Sequence, residues 1–465
     1  MNKYRLFKES VKGAVEAFKQ IDKNETIRII SHLDSDGICA ASILINALNN
    51  ENIKYSLSVV QQINEMLLYE FKKEHYNYYF FTDLGSGQFT KISKILGDKN
   101  IFILDHHELD SQHTNKNIVH VNPHIFGING SKEISGSGVV YLFSSMLNEK
   151  NKAIVHIALV GAIGDIQEDQ GFLPLNNEIL EEAKRQCKIE VKRGLRFFGM
   201  QTRPIYKILE YSTDPYIPEV TGSESGAINF LTQLGINPRN NKNWKRMVDL
   251  SEDDMRKLVT GIIMRRFDEK NPDDVLGNIY ILPEEKEGSP FRDAKEFSTL
   301  LNACGRLYKP SLGIGVCLGD EKLKRRAIEH MNSYKREIVK AIKWYNNNKG
   351  RKAIIKEDGF IIINAKKEIL STMIGTLASI LSKSKELKEG TYIMSLAREL
   401  HYNTKVSLRV AGPNKNVDLK RLMIEITSKI NDAEAGGHKE AAGAIIPTKV
   451  EDEFIEIARE VLRKN

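Results

Sequence analysis

Between residues 26 and about 185 the chain alternates short apolar runs with longer amphipathic stretches. The runs at 26–31, 54–60, 78–82 and 101–104 are rich in Ile, Val, Phe and Tyr, which predicts buried strands. Between them, 37–48, 64–73 and 89–96 repeat apolar residues at helical spacing. Strands alternating with helices predict an α/β fold built on a doubly wound parallel sheet. The apolar run 153–163 is read as one more element delivering its last residues to the same sheet end. Strands resume at 352–355, 360–363, 391–396 and 405–410, predicting a second, smaller α/β domain. The middle of the chain is helical in pattern, with helices expected over 226–234, 254–266 and, at greater length, 321–346. Ser251 with Asp254 three residues on resembles a capping box. The expected organisation is an α/β domain over 1–188, a mostly helical insertion and connector over 189–345, and a smaller α/β domain over 346–465, with a cleft between the two α/β domains.

The residues just past the apolar runs turn the reading from architecture to chemistry. The first run leads into His32-Leu33-Asp34-Ser35-Asp36-Gly37, the third into Asp83, the fourth into Asp105-His106-His107-Glu108, and the run 153–163 into Gly164 and Asp165. In open α/β sheets the ligand crevice lies outside the carboxyl ends of the strands. An aspartate after a strand is often only the cap of the next helix, and adjacent histidines arise by chance. Four such elements in order point instead to a metal site. Magnesium and manganese prefer carboxylate and water oxygens, and imidazole shifts the preference toward manganese. Four Asp and two His are too many ligands for one ion. Two ions about 3.5 to 4 Å apart, sharing one carboxylate, would use them all, the arrangement of two-metal phosphoester hydrolysis. His75, His113, His120, His124 and His156 are read as surface or core residues.

These motifs resemble those of the DHH phosphoesterase superfamily: His32-x-Asp34-x-Asp36, Asp83, Asp105-His106-His107 and Asp165 match its four catalytic motifs in order and spacing. Ala435-Gly436-Gly437-His438, followed by Ala441-Ala442-Gly443, is similar to the glycine-rich signature of the DHH-associated domain, with Ala435 where that family usually has glycine. Residues 27–41, 211–235 and 301–307 are most similar to RecJ-like single-strand exonucleases of the archaeal type. The resemblance implies that His32, Asp34 and Asp83 hold one ion, and that Asp36, Asp83, His106 and Asp165 hold the other. It implies that His107 faces the scissile phosphate while Asp105 orients the imidazoles. It also implies a substrate-phosphate grip made by Arg409, Gly436, Gly437 and His438. Ser135-Gly136-Ser137-Gly138 opens a helix between the third and fourth motifs, and Ser135 and Ser137 are read as candidate phosphate contacts.

Composition fits a polyanionic substrate without demanding one. The 465 residues carry 68 Lys and Arg against 61 Asp and Glu, a net charge of +7. Two basic stretches are candidates for tracking a nucleic-acid backbone: 184–203, where Phe197 and Phe198 lie among the cations, and the connector helix at 321–346. The alternative for either is a solvated helical face. Cys39, Cys187, Cys304 and Cys317 form no Cys-x-x-Cys pair, which argues against a zinc ribbon or disulfide framework and for a cytoplasmic, reducing location. No apolar run is long enough for a membrane span, and the first 25 residues lack the apolar centre of a signal peptide.

The expectation is therefore a metal-dependent exonuclease, with manganese preferred and magnesium usable, acting on single-stranded DNA or RNA in repair, replication or RNA turnover. RecJ resemblance implies 5′ to 3′ action on DNA, and archaeal relatives make 3′ to 5′ action on RNA the alternative. Other readings are a phosphoesterase for very short oligonucleotides or phosphoadenosine phosphate, and a replication scaffold with little activity. The resemblance offers the GINS and replicative helicase complex, or an RNA-processing assembly, as protein partners, and no membrane.

Overall fold

The structure, a computed structural model, describes residues 2–110, 114–212, 215–384, 386–399, 402–412 and 417–464, and the side chain of His438 is also outside the described set. His113 lies outside the described residues. The chain forms two compact units, Met1–Glu329 and His330–Asn465.

The first unit is built on the parallel sheet that the apolar runs predict. Its strands are β1 (Ile27–His32), β2 (Tyr55–Val60), β3 (Tyr78–Thr82), β4 (Asn100–Leu104) and β5 (Ile118–Val121). Every pairing is parallel and the order is β2-β1-β3-β4-β5, so the chain reverses its direction of winding between β1 and β3. That reversal opens a crevice at the carboxyl ends of those two strands. Helices cover both faces: α1 (Lys3–Lys19), α2 (Ser35–Asn50), α3 (Glu65–Lys73), α4 (Phe89–Leu96) and α5 (Gly136–Leu147). The period-2 pleat sorts the core residues of β3. Tyr79 and Phe81 join Leu68, Phe71, Phe89 and Ile92 under α3 and α4. Phe80, pointing the other way, stacks on Phe102 with ring centres 4.5 Å apart and meets Phe18 of α1 and Phe143 of α5 edge-on.

The run before Asp165 is a helix, not a strand. It forms α6 (Val155–Gly164), packed among α2, α5 and, beyond it, α7 (Pro174–Arg185). All but two of its residues are buried, so no polar face marks its period, and Ala158, Gly161 and Ala162 let neighbouring helices approach. Asp165 thus reaches the site from a helix C-terminus.

The middle region is less purely helical than its pattern suggests. The basic stretch contains β6 (Glu190–Leu195). After α8 (Ile205–Tyr211), α9 (Glu224–Gln233), the short hairpin β7 (Arg239–Asn240) and β8 (Asn243–Trp244), and α10 (Glu252–Arg265), β9 (Leu276–Ile281) returns to pair antiparallel with β6. The Ser251 side chain caps α10 by accepting from the Asp254 amide at 3.1 Å. Three further helices follow: α11 (Ala294–Arg306), α12 (Pro310–Cys317) and α13 (Glu321–Asn348).

The second unit contains a mixed sheet of β10 (Ile354–Glu357), β11 (Phe360–Asn364), β12 (Tyr392–Arg398), β13 (Asn403–Val410), β14 (Glu434–His438) and β15 (Ala441–Pro447), in the order β10-β11-β12-β13-β15-β14. Leu396, Val406, Leu408, Ala444 and Ile446 pack one face against α15 (Leu419–Thr427) and α16 (Glu451–Leu462), and α14 (Ser371–Ser382) lies against β12 and β13. The glycine-rich segment is strand β14 of a tight hairpin with β15. Small residues carry little strand signal of their own, and this strand forms through its ladder with β15.

Candidate metal centre

The crevice at the β1/β3 reversal gathers the residues that the motifs nominate. His32 is the last residue of β1, and Asp34 caps α2 by accepting from the Gly37 amide at 3.0 Å. Asp83 follows β3 in a left-handed conformation with φ 59°, its amide bonded to Leu104 O. Asp105, His106 and His107 follow β4, and Asp165 ends α6. Side-chain ligand atoms cluster in three sets: His32, Asp34 and Asp83; Asp36, His106 and Asp165; and Asp83, Asp105, His106 and His107. Each set can hold a cation.

The two oxygens of Asp83 face different partners. Oδ2 is 3.5 Å from His32 Nδ1, and Oδ1 is 3.2 Å from His106 Nε2. His106 Nε2 is also 3.3 Å from Asp165 Oδ2 and 3.7 Å from Asp36 Oδ2. Asp83, Asp36 and His106 are buried. Among the described residues, His32 Nδ1, His106 Nε2 and both Asp83 oxygens make no well-aligned hydrogen bond, although buried polar atoms nearly always do. Buried ligand atoms left this way at the ends of three strands, β1, β3 and β4, fit a divalent ion set.

Electrostatics agree. Burial drives the Asp36 carboxyl up to about 7, and the Asp83 charge adds to it. Burial likewise raises Asp165 well above its usual value, assisted by the charge of Asp36. Burial opposes the charged form of His106, yet Asp83, Asp165 and Asp36 together raise it well above the usual histidine value. Four carboxylates so placed repel one another until a cation compensates them.

His107 is held differently. Its Nδ1 lies 2.8 Å from Asp105 Oδ1. Asp105 is buried, but the positive field of His107 and the amides of Ser86 and His106 keep it ionised at low pH. An ionised carboxylate only accepts, so His107 Nδ1 donates, and proton exchange with a ligand falls to Nε2. Asn122, buried, donates to His107 O at 2.9 Å and to Ser86 Oγ at 2.7 Å, fixing the backbone behind the ring.

Ser135 and Ser137 sit beneath the site rather than on its surface; both are fully buried. Ser135 Oγ caps α5 by accepting from the Gly138 amide. The Ser137 hydroxyl donates to Asp36 Oδ1, and the amides of Ser137 and Gly136 donate to the same carboxylate at 3.0 and 2.6 Å. A Cβ at Gly136 would collide with the Asp83 carboxylate. The small-residue segment thus orients a carboxylate, and substrate contact by Ser135 or Ser137 is set aside. That role has no signal in one sequence beyond its small residues.

In the second unit, Arg409 lies on β13, its Nη1 donating to Leu408 O at 2.8 Å and its Nε to Ser379 Oγ at 3.3 Å. Gly436 pairs with Gly443, which pairs with Ser407 on β13. The sheet therefore places Arg409 on β13 and Gly436 and Gly437 on β14, the two strands that flank β15. His438 ends β14, and its side chain is outside the described set. The basic stretch at 184–203 is largely engaged: Lys184, Arg185, Lys188 and Arg196 pair with Glu181, Glu182, Glu284 and Asp169. Phe197 is core, while Phe198 stacks under Arg203 at 4.6 Å.

Comparison with known proteins places this geometry in a family. The model of the DHH family, N-terminal domain, matches residues 26–164, that of the DHH-CID domain matches 197–279, and that of the DHHA1 domain matches 358–464. Uncharacterized protein MJ0831 of Methanocaldococcus jannaschii is 30% identical over 444 residues, 94% of this chain and 93% of its own. RecJ in complex with Mn2+ from Thermus thermophilus has a similar fold, with TM-score 0.58 at 14% identity. That match covers 99% of this chain and 55% of RecJ, so the chain spans about half the length of that protein. CDC45 from Entamoeba histolytica aligns with TM-score 0.64 at 12% identity, covering 98% of each chain. Catalytic-domain motifs, an intervening DHH-CID domain and a C-terminal DHHA1 domain, in that order on a RecJ-like fold, make this chain a member of the DHH superfamily of phosphoesterases.

Proposed function

We propose that the protein is a metal-dependent exonuclease that hydrolyses phosphodiester bonds from a free end of single-stranded DNA or RNA. The observation that carries this reading is the position of Asp83 between two ligand sets, one oxygen toward His32 and Asp34 and the other toward His106, Asp36 and Asp165. In this reading His32, Asp34 and Asp83 hold one divalent ion, and Asp36, Asp83, His106 and Asp165 hold a second, with manganese preferred and magnesium usable. Bound ions there would activate water and stabilise the charge that develops on phosphoryl oxygens.

The remaining steps belong to the chain's own groups. His107, held at Nδ1 by Asp105, offers a proton at Nε2 to the leaving oxygen or stabilises its charge. Ser137 and the amides of Gly136 and Ser137 keep Asp36 turned into the site. Arg409 and the β14–β15 hairpin, with His438, bind a backbone phosphate of the substrate. Polarity on DNA is read as 5′ to 3′, with 3′ to 5′ trimming of RNA as the alternative.

A second reading, a scaffold in a replication complex, is favoured by the fold likeness to CDC45. Digestion of single-stranded DNA and RNA, labelled separately at each end, with manganese, magnesium or chelator, separates the readings. Metal-dependent release of mononucleotides from one end supports the exonuclease and fixes its direction. Cleavage of dinucleotides alone indicates a short-oligonucleotide phosphoesterase, and no cleavage leaves the scaffold.

A further inference from the structure

The turn from β1 into α2, which carries His32, Asp34 and Asp36, is clamped by a helix remote in sequence. Asn302 on α11 accepts a hydrogen bond from the Ser35 amide through Oδ1 at 3.1 Å, across 267 residues of chain. Three residues further along α11, Gly305 lies so close to the turn that a Cβ would overlap the Leu33 carbonyl oxygen. The same helix packs against α2, which carries Asp36, and α6, which ends at Asp165. Its residues, Ala294–Arg306, fall outside the three matched spans 26–164, 197–279 and 358–464.

The Ser35 amide is one of the N–H groups at the start of α2 for which the helix has no acceptor. Asp34 already uses one oxygen to cap the Gly37 amide, and its other oxygen lies 2.9 Å from His32 Nδ1. Without Asn302, the Ser35 amide would become a second local donor competing for the Asp34 carboxylate. The carboxylate would then turn toward the helix end and away from His32.

We propose that Asn302 is a positioning residue, which through the Ser35 amide keeps Asp34 and His32 aimed at a shared cation, so that α11 sets the metal affinity of the His32–Asp34–Asp83 set. The inference rests on the metal centre proposed above. Gly305 supports it by letting the helix backbone reach the turn.

The test measures Mn2+ binding to the purified full chain from the electron paramagnetic resonance signal of free Mn2+, together with amide exchange of the 33–38 segment and thermal unfolding in chelator. Asn302→Leu removes the acceptor at similar volume, Asn302→Ser shortens it without adding apolar surface, and Asn302→Asp keeps an acceptor in place. Expected are Mn2+ binding weakened about ten- to a hundredfold in Asn302→Leu, faster exchange at Ser35, and near wild-type values for both in Asn302→Asp. Should the leucine variant not fold, the serine variant carries the same comparison. Wild-type affinity in the folded leucine or serine variant would overturn the inference, as would Asn302→Asp binding no better than Asn302→Leu. A wild-type chain that binds no Mn2+ would instead overturn the metal centre, and this inference with it.

Discussion

Asp83 Oδ1 stands 3.2 Å from His106 Nε2, and among the described residues neither atom makes a well-aligned hydrogen bond. Two complementary atoms so close would ordinarily bond or move apart. Here Asp83 is pinned by its left-handed backbone at φ 59° and by the Leu104 carbonyl that accepts from its amide. His106 is pinned by the bond between its Nδ1 and Gly130 O at 2.8 Å. Both side chains are oriented by groups other than each other, the sign of a site arranged for a third component.

Asp83→Asn isolates the charge, because asparagine tolerates the left-handed conformation and preserves volume. Metal-dependent hydrolysis should fall by more than the about 100-fold that losing a supporting residue costs. Thermal unfolding in chelator should occur at an equal or higher temperature than in the wild type, since one of four mutually repelling carboxylates is gone. Added Mn2+ should stabilise the wild type, by about 2.7 kcal/mol at a hundred times its dissociation constant, and the variant much less. Turnover retained by the purified variant would sink the bridging role.

Ser137→Ala deletes the hydroxyl that donates to Asp36 while leaving the two backbone amides in place. The expected outcome is a folded protein whose half-saturating Mn2+ concentration rises about ten- to a hundredfold. Activity should recover at high Mn2+. An unchanged metal requirement would mean that the amides alone orient Asp36.

How far the sequence reveals this site depends on what each residue does. Candidate ligands that end apolar strands, such as His32, Asp83 and His106, are legible because strand and chemistry adjoin. Asp165 is legible as a candidate ligand, but the helix before it is not, since an apolar run buried almost all round shows neither the 2.0 nor the 3.6 period. Strand β6 is hidden for the opposite reason. Lys192 and Arg193 on a two-stranded ribbon read as a basic stretch, and only pairing with β9 identifies the strand. The supports under the site, Ser137 below Asp36 and Asn122 behind His107, act across 101 and 15 residues, where local pattern carries no information.

Glu296 gives the first unit a pH dependence away from the metal ligands. Burial raises its carboxyl to about 7, although Thr202 Oγ1 and the Gln201 amide donate to it at 2.5 and 2.7 Å. The folded chain therefore holds this proton more tightly than the unfolded chain. Its contribution to stability is full below about pH 4.5 and is lost as pH rises toward 7. Glu296→Gln should flatten the wild-type decline across that window, by up to about 3 kcal/mol, in denaturant unfolding at pH 5 and pH 7. Parallel curves for the two proteins would refute the assignment.

Arg409 tests whether the second unit takes hold of substrate. Its Nη1 already bonds Leu408 O and reaches Ala442 O at 3.4 Å, so the guanidinium is held against β13 and β15 near the Gly436–Gly443 row. A pre-oriented guanidinium loses little entropy on gripping a phosphate, and such charge-assisted bonds contribute about 1.5 to 3 kcal/mol. Arg409→Ala should therefore raise KM for single-stranded substrate about ten- to a hundredfold. Its kcat should change far less, because the residue does not belong to the ligand sets. Arg409→Lys keeps the charge but loses the fork, and should recover only part of the loss. His438→Ala should act in the same direction, through KM. If either alanine variant lowers kcat while KM stays fixed, the second unit acts on the chemical step, and the grip is the wrong description of its role.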